Sequence, residues 1–302
     1  MNYAEEIKKL KREKNAVILA HCYQNLEIDE VADFVGDSLY LSQMAAKTDA
    51  DIIVFAGVYF MAQTAKILNP NKKVILPNLK AGCYMADMIN LEQLREFKSK
   101  HPNIPTVCYI NSTAEVKSEC DICCTSSNAV KIVESLKAEK VLFLPDRNLG
   151  KWVEKQLGNV EVITYNGCCP IHDKLDPQGI KETKSRYNGA IILAHPECRE
   201  EFSSQADYVG STTGIINYVK NSNQNKFIIA TEKGVIDRLK RDYPNKQFYS
   251  IYDKPSVCSS MKLNTLSDIY SALKNEAPEI KVEPALANKA IKCIERMLEV
   301  SK

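Results

Sequence analysis

The chain has 302 residues, of which 45% are hydrophobic and 26% are charged, and its formal net charge is +2. This is the composition of an ordinary globular protein with length for about two domains. The near-neutral charge argues against a strongly basic nucleic-acid surface, and no apolar run reaches the roughly 18 residues of a membrane span.

Eleven cysteines are the unusual feature of the composition. Residues 1–14 have the pattern of a charged amphipathic helix and lack the apolar core of a signal peptide, so we expect a cytoplasmic protein. Disulfides are not expected in that reducing compartment. Most of the cysteines are then interpreted as small buried side chains, and a subset is predicted to bind metal or to take part in chemistry.

The first predicted unit leads from an apolar strand to a loop that contains a cysteine. A run rich in Val, Ile and Ala ends at His21, and Ser38 opens a helical pattern 17 residues later. A second strand ends at Gly57 and precedes another helical pattern, and a third strand leads into the loop of Cys83. Short apolar strands that alternate with helices predict a parallel sheet covered by helices.

The same order of elements occurs twice more along the chain. The first strand ends are separated by 88 and 86 residues and the loop cysteines by 86 and 89, and the 17-residue offset is kept. The positions equivalent to His21, Ser38 and Cys83 are Tyr109, Ser126 and Cys169 in the second unit and His195, Thr212 and Cys258 in the third.

This repeat predicts an α/β protein with three pseudo-symmetric α/β/α domains, each with a small three-stranded parallel sheet, around a pseudo-threefold axis. The predicted domains are residues 1–85, 86–172 and 173–262, and helices in residues 263–302 are expected to complete the first. Ligands bind at the carboxyl ends of strands in parallel sheets. If these edges face one axis, the loops of all three domains meet at one central site.

Cys83, Cys169 and Cys258 hold equivalent positions, so the predicted symmetry brings their thiols to one place. Three thiolates from three loops suit an iron–sulfur cluster with one iron left open. A zinc ion with an open coordination position has a similar ligand set. On spacing and symmetry alone, zinc and the absence of any metal both stay open as alternatives.

A rival cysteine group lies in the second unit and consists of Cys120, Cys123 and Cys124, with Cys168 as a further candidate. An isolated C-x2-C spacing is a weak metal signal, and this group has no counterpart in the other units. We interpret it as mainly structural, with redox or metal use as the alternative. The core thiols are predicted to be Cys22, Cys108, Cys198 and Cys293.

Side chains suited to proton transfer and anion binding follow the predicted strand ends. Besides His21 and His195, the candidates are Tyr23, Asn111, His172 and Glu197. A strand-end histidine is commonly structural, but a place at the shared edge favours a functional role. The helices that begin near Ser38, Ser126 and Thr212 would point three N-termini at the same axis, which favours phosphate or carboxylate binding. The residues therefore predict an enzyme that acts on small, multiply anionic molecules.

Longer motifs along almost the whole chain resemble one family, the bacterial quinolinate synthases. The matching segments include LAHCYQ (19–24), GDSLYLS (36–42), GVYFMAQTAK (57–66), CYINSTAEVK (108–117), DICCTSSNAVKIV (121–133), LPDRNLG (144–150), YNGCCPIH (165–172), HPEC (195–198), VGSTTG (209–214), ATEKG (230–234) and CSSMKLNTL (258–266).

The resemblance implies a transferase of NAD biosynthesis that condenses iminoaspartate with dihydroxyacetone phosphate to quinolinate, phosphate and water. It implies a 4Fe–4S cluster on Cys83, Cys169 and Cys258 with one iron open to substrate, and functional pairing with an L-aspartate oxidase or dehydrogenase. The implied catalytic residues are Tyr23, His195 and Glu197. The implied substrate contacts are His21, Ser38, Tyr109, Ile110, Asn111, Ser126, His172, His195, Pro196, Glu197 and Thr212.

Three positions depart from the family pattern: Cys22 stands for Tyr or Asn, Tyr59 for a common His, and Gln63 for the usual Glu. None is an implied cluster ligand, although Cys22 beside the site is expected to add sensitivity to oxidation. Two other functions stay open, an iron–sulfur hydro-lyase acting on a small hydroxy acid and a cluster-based sensor. Substrate tests distinguish the first, and the second needs a nucleic-acid or partner surface.

Overall fold

The structure is a computed structural model that describes residues 2–302. Three parallel sheets follow one another along the chain, and each is covered by helices. The α/β class and the threefold repetition predicted from the sequence are therefore confirmed. The predicted domain boundaries stay a prediction.

The first sheet is formed by β1 (Ala16–His21), β2 (Phe34–Gly36), β3 (Ile52–Ala56) and β4 (Lys73–Ile75). Its strand order is β2-β1-β3-β4, and all neighbours are parallel. The strands β1 and β3 are buried almost throughout, as their continuous apolar runs predict. The accompanying helices are α1 (Tyr3–Glu13), α2 (Ser38–Lys47) and α3 (Tyr59–Leu68), with a 3-10 segment at Leu26–Glu30.

The second sheet is formed by β5 (Thr106–Tyr109), β6 (Ile122–Cys124), β7 (Lys140–Leu144) and β8 (Glu161–Thr164), in the order β6-β5-β7-β8. The helices around it are α4 (Leu91–Ser99), α5 (Ala114–Lys117), α6 (Ala129–Ser135), α7 (Arg147–Leu157) and α8 (Pro170–Asp173), and a 3-10 segment at Ala86–Met88 precedes them.

The third sheet is formed by β9 (Ile191–Ala194), β10 (Tyr208–Val209), β11 (Lys226–Ala230) and β12 (Gln247–Tyr249), in the order β10-β9-β11-β12. Its helices are α9 (Pro177–Arg186), α10 (Glu200–Ser203), α11 (Thr212–Asn221) and α12 (Lys233–Asp242), and the chain continues through α13 (Leu266–Asn275) and α14 (Pro284–Val300). Two further 3-10 segments lie at Ile251–Asp253 and Met261–Leu263.

Each sheet has four strands, so the prediction of three-stranded sheets is wrong in its strand count. The additional strands β2, β6 and β10 are only two or three residues long and pair with the first strand of their sheet. A segment this short shows no measurable apolar alternation, which explains why the pattern does not reveal it. Each additional strand leads into the segment that carries the hydroxyl residue.

The predicted helix starts are confirmed at Ser38 and Thr212, which are the first residues of α2 and α11. Their caps are the preceding residues, Asp37 and Ser211, whose side chains accept backbone N–H groups of the first turn. The prediction is wrong at Ser126, which lies in a turn three residues before α6. The serine there belongs to the loop and not to the helix terminus.

The last two helices pack on different parts of the molecule. Helix α13 packs against α1 and β3, whereas α14 packs against α5 and β6 as well as α3. One large buried cluster contains side chains from all three sheets, for example Leu19, Val107 and Leu193. Between residues 2 and 302, no helix combines the length and the apolar character that crossing a membrane requires.

Candidate active site

The carboxyl ends of the three sheets face one central cavity, as the repeat predicts. The cavity encloses about 760 Å³ of space, its opening to solvent included. The predicted residues that line it are His21, Tyr23, Ser38, Cys83, Tyr109, Asn111, Ser126, Cys169, His195, Glu197, Thr212 and Cys258.

Three predicted residues lie behind the wall of this cavity and do not line it. Ile110, His172 and Pro196 are buried, and Ile110 donates its backbone N–H to the Cys124 carbonyl of β6. His172 contacts cavity residues through its ring nitrogens. Its Nδ1 lies 2.7 Å from Glu197 Oε2 and 3.3 Å from Cys169 Sγ.

The loops that carry Cys83, Cys169 and Cys258 have the same backbone geometry. In each domain, the residue at the start of the preceding helix donates its N–H to the carbonyl oxygen two residues before the cysteine. These hydrogen bonds are Tyr59 to Ala81 (2.8 Å), Arg147 to Gly167 (2.8 Å) and Lys233 to Ser256 (2.7 Å). The equivalence inferred from the cysteine spacing therefore extends to hydrogen bonds.

All three loop thiols are partly buried, free of disulfides and directed at the same cavity. Burial, with a smaller contribution from the neighbouring Cys258, raises the pKa of Cys83 to about 12. Burial also raises the pKa of Cys169 well above its usual value, followed by the effects of Glu197 and Cys83. Without a cation the three thiols resist joint ionisation, so the set is suited to a cationic metal centre.

The three loop thiols do not form a closed site for a single ion. Ligands of one tetrahedral zinc lie under about 4 Å apart. Within residues 2–302, the only His, Cys, Asp or Glu set with ligand atoms all within 4.8 Å is Cys169, His172 and Glu197. In that set His172 already contacts both Glu197 and Cys169. Cys83, Cys169 and Cys258 are therefore not all within 4.8 Å of one another.

The rival cysteines lie away from the cavity. Cys123 Sγ is 3.2 Å from Cys293 Sγ of α14, and both side chains are fully buried. Cys120 donates to the Val116 carbonyl, and Cys124 is buried in β6. These contacts support the interpretation of Cys120, Cys123 and Cys124 as structural residues.

His21 and His195 enter the cavity as neutral hydrogen-bond donors. His21 Nδ1 accepts the Tyr23 N–H at 3.1 Å, and His195 Nδ1 accepts the Glu197 N–H at 3.3 Å. Burial lowers the pKa of His21 to about 4 and that of His195 to about 3. With Nδ1 as acceptor in each neutral ring, the proton is on Nε2, which is left to donate to a ligand.

These lowered pKa values predict that acid destabilises the fold. In the unfolded chain each imidazole titrates near 6.5, so between pH 6.5 and 4 the unfolded state binds more protons than the folded state. The free energy of unfolding must then fall as the pH falls, by up to about 2.7 kcal/mol per pH unit for the two groups near pH 5. Urea unfolding at pH 7 and pH 5 measures this slope.

His21→Gln is expected to remove about half of this dependence, because one of the two titrating groups is lost. His101→Gln is the matched control, since His101 is partly exposed at the end of α4. An unchanged pH dependence in His21→Gln would show that another group is responsible.

A continuous hydrogen-bonded chain connects the three domains behind the cavity. Tyr23 Oη lies 3.1 Å from Thr212 Oγ1 and 3.0 Å from Thr231 Oγ1, and Thr231 Oγ1 lies 2.9 Å from His172 Nε2. His172 Nδ1 then contacts Glu197 at 2.7 Å. Protons can therefore be passed between the Tyr23 phenol and the Glu197 carboxylate through two intermediate side chains.

Glu197 is the anionic end of this chain. Tyr109 donates its phenol to Glu197 Oε1 at 2.6 Å. Burial opposes ionisation of Glu197, but His195 and His172 together with the donated hydrogen bonds outweigh it and hold its pKa below the usual range. Burial, and then the Glu197 charge, raise the pKa of Tyr23 and Tyr109 well above that of a free phenol. Both tyrosines are therefore protonated donors.

Asp37 is a buried residue of the cavity wall that joins all three domains. Its Oδ1 caps α2, and its Oδ2 accepts the hydroxyls of Ser127 and Thr213, each at 2.6 Å. Ser127 and Thr213 directly follow the equivalent residues Ser126 and Thr212. The carboxylate therefore holds the two neighbouring anion-site segments against α2.

Asp37→Ala is expected to lower the free energy of unfolding by about 3 kcal/mol, because a cap and two charge-assisted hydrogen bonds are lost. Ser211→Ala removes one cap of α11 and is the matched control, with an expected cost of about 1 kcal/mol. Chemical denaturation measures both. Equal costs for the two variants would contradict the bridging role of Asp37.

Two functional residues in this arrangement are absent from the sequence prediction. Thr231 follows the second strand of its unit, and the equivalent residues Gly57 and Pro145 have no hydroxyl. Asp37 directly precedes Ser38 within a family motif. Thr231 could have been found from the sequence, because it is the one residue with a hydroxyl among the three equivalent strand ends. The contacts of Asp37 depend on how the domains are assembled.

Comparisons with known proteins agree with this geometry. The family model described as the quinolinate synthetase A protein matches residues 5–299. The chain is also similar to curated proteins named quinolinate synthase. The one from Alkaliphilus metalliredigens is 52% identical over 299 residues, which is 99% of this chain and 98% of the relative. Those from Clostridium novyi and Caldicellulosiruptor bescii are 50% and 48% identical, each over 97% of the relative and over 97% and 98% of this chain.

Proposed function

The chain belongs to the quinolinate synthase family, and we propose that its central cavity makes quinolinate with a 4Fe–4S cluster bound by Cys83, Cys169 and Cys258. The family resemblance of the sequence motifs is confirmed by these comparisons, and the chain is an iron–sulfur enzyme of NAD biosynthesis. The observation that carries the cluster proposal is the opening of three equivalent loop cysteines into one cavity.

The proposed substrates are iminoaspartate and dihydroxyacetone phosphate, and the products are quinolinate, phosphate and water. When bound, a cluster with one iron free of cysteine supplies a Lewis acid that polarises a substrate oxygen. Three cysteine ligands leave that iron for the substrate.

Binding of the two carboxylates and the phosphate is assigned to donors on the cavity wall. The start of α2 at Ser38 and the start of α11 at Thr212 bring helix N-termini to the cavity. Such termini carry free N–H groups and the positive end of the helix dipole. The Nε2–H groups of His21 and His195 add neutral donors, and the remaining proposed contacts are Tyr109, Asn111 and Ser126.

Proton transfer is assigned to Tyr23, His195 and Glu197. The Tyr23 phenol lines the cavity, and as it takes up a proton from the substrate its own proton can pass through Thr231 and His172 to the Glu197 carboxylate. His172 therefore acts from behind the wall. We propose that His172, Ile110 and Pro196 support substrate binding through the neighbouring cavity residues, since none of the three lines the cavity.

We also propose a cytoplasmic location, because an oxygen-sensitive cluster with an open iron needs a reducing compartment. Iminoaspartate is a reactive imine, so an enzyme that oxidises L-aspartate, an oxidase or a dehydrogenase, is the proposed supplier of this substrate. The partners of the enzyme are thus small molecules, with a functional link to that supplier.

An anaerobic turnover assay tests the proposed function. Protein reconstituted with iron and sulfide is expected to form quinolinate from dihydroxyacetone phosphate and iminoaspartate, and to form none when either substrate is omitted. Cluster-free protein is the control for uncatalysed condensation. Dehydration of a hydroxy acid without any quinolinate formation would instead indicate a hydro-lyase.

A further inference from the structure

Two fully buried carboxyl groups lie directly behind two of the cluster loops. Asp146 Oδ2 accepts the backbone N–H of Cys169 at 3.1 Å, and Glu232 Oε1 accepts the backbone N–H of Cys258 at 3.2 Å. Both side chains are completely excluded from solvent. Neither residue lines the cavity, so neither is placed to touch a substrate.

The two acids are equivalent by the pseudo-threefold symmetry. Each is the N-cap of the helix that follows the second strand of its sheet, α7 for Asp146 and α12 for Glu232. Each uses one oxygen for this cap, on Leu149 N or Gly234 N, and the other oxygen for the cysteine N–H. One carboxyl group thus connects a helix start to a cluster loop in both domains.

The first domain lacks this connection. The residue equivalent to Asp146 and Glu232 is Val58, which precedes α3 and forms no side-chain cap. Its side chain contains no hydrogen-bond acceptor. The Cys83 loop shares with the other two the backbone hydrogen bond from Tyr59 to Ala81 and a second one, from the N–H of Asp87 to the Cys83 carbonyl.

We propose that Asp146 and Glu232 are positioning residues that fix Cys169 and Cys258 for the cluster, whereas the Cys83 loop has no equivalent carboxyl group. This inference rests on the proposed cluster. The two carboxyl groups would hold the backbone at Cys169 and Cys258 in place for cluster binding. Residues that orient metal ligands typically affect metal retention by about ten- to a hundredfold.

Asp146→Ser separates the two hydrogen bonds of Asp146. A serine keeps the N-cap acceptor for α7, but its single hydroxyl oxygen loses the second acceptor, which the Cys169 N–H uses. Asp146→Asn has one acceptor, the amide oxygen, so it can accept from either the Leu149 N–H or the Cys169 N–H but not from both. In the third domain, Glu232→Ala removes the acceptor of the Cys258 N–H together with the cap of α12 and the ion pair with Lys262. The matched controls are Asp176→Ala and Glu283→Ala, which remove acidic caps of α9 and α14.

The experiment measures cluster loss from reconstituted protein in excess chelator, by visible absorbance, and hydrogen exchange of the loop peptides in the same samples. We expect Asp146→Ser and Glu232→Ala to lose the cluster about tenfold faster than wild type or more. Exchange should increase in the Cys169 peptide only for the first variant and in the Cys258 peptide only for the second. Both control variants should stay within about threefold of wild type.

Wild-type rates and unchanged exchange in Asp146→Ser and Glu232→Ala would overturn the inference. Failure of wild-type protein to bind any cluster would instead overturn the proposed function. The exchange measurements would then still decide whether the two carboxyl groups hold the loops.

Discussion

Alanine at any one of Cys83, Cys169 or Cys258 is expected to abolish the cluster absorbance of anaerobically reconstituted protein. Each thiol reaches the cavity from a different domain, and Cys168, the neighbour of Cys169, does not line the cavity. Two cysteines leave two irons without a protein ligand, and quinolinate formation should be lost with the cluster. Iron and sulfide content per chain, together with the visible spectrum, measures the effect.

The matched controls for this prediction are Cys123→Ala, Cys124→Ala and Cys168→Ala. Cys123 and Cys124 are buried in β6, outside the cavity lining, and Cys168 directly precedes the ligand Cys169. All three variants should retain the absorbance of the wild type. A Cys258→Ala protein with full iron and sulfide content would refute the ligand assignment.

Tyr23→Phe is expected to retain the cluster and the binding of dihydroxyacetone phosphate, and to lose at least about a hundredfold in turnover. The change removes one oxygen and keeps the ring, so the packing of the nearly buried side chain is preserved. It breaks the contacts to Thr212 and Thr231, so residue 23 is no longer connected to the chain that ends at Glu197. Single-turnover and steady-state assays for quinolinate measure the loss.

Tyr165→Phe is the control for loss of a tyrosine hydrogen bond outside the cavity, since its hydroxyl donates to the Met88 carbonyl. It should be close to wild type in turnover. Thr231→Val should approach the defect of Tyr23→Phe, because it interrupts the same chain at the next residue. Near-normal turnover by cluster-loaded Tyr23→Phe would remove Tyr23 from the mechanism.

The sequence predicts the repeated part of this molecule well. Continuous apolar runs locate the central strands, and the equal spacing of Cys83, Cys169 and Cys258 predicts that three loops share one site. Both features depend on local composition and on symmetry, which a single sequence displays. The strand ends at His21 and Tyr109 agree with the structure, and the strand before His195 ends one residue earlier.

The parts that escape prediction depend on contacts between units. The edge strands β2, β6 and β10 are too short to show a pattern and are held by pairing with their neighbours. The bridge from Asp37 to Ser127 and Thr213, and the path from Tyr23 to Glu197, cross domain boundaries. Asp37 is 90 and 176 residues from its two partners, and Tyr23 is 208 residues from Thr231, so no local propensity encodes these contacts.

We propose that one cavity holds both the cluster and the substrates. Mössbauer spectroscopy of iron-57 protein tests whether they share this cavity. Reconstituted protein should contain about four irons per chain, and quinolinate or dihydroxyacetone phosphate should change the signal of about one of them. Cys258→Ala protein should show no such cluster. An intact four-iron signal that stays unchanged when quinolinate is bound would place the substrate elsewhere and contradict this account.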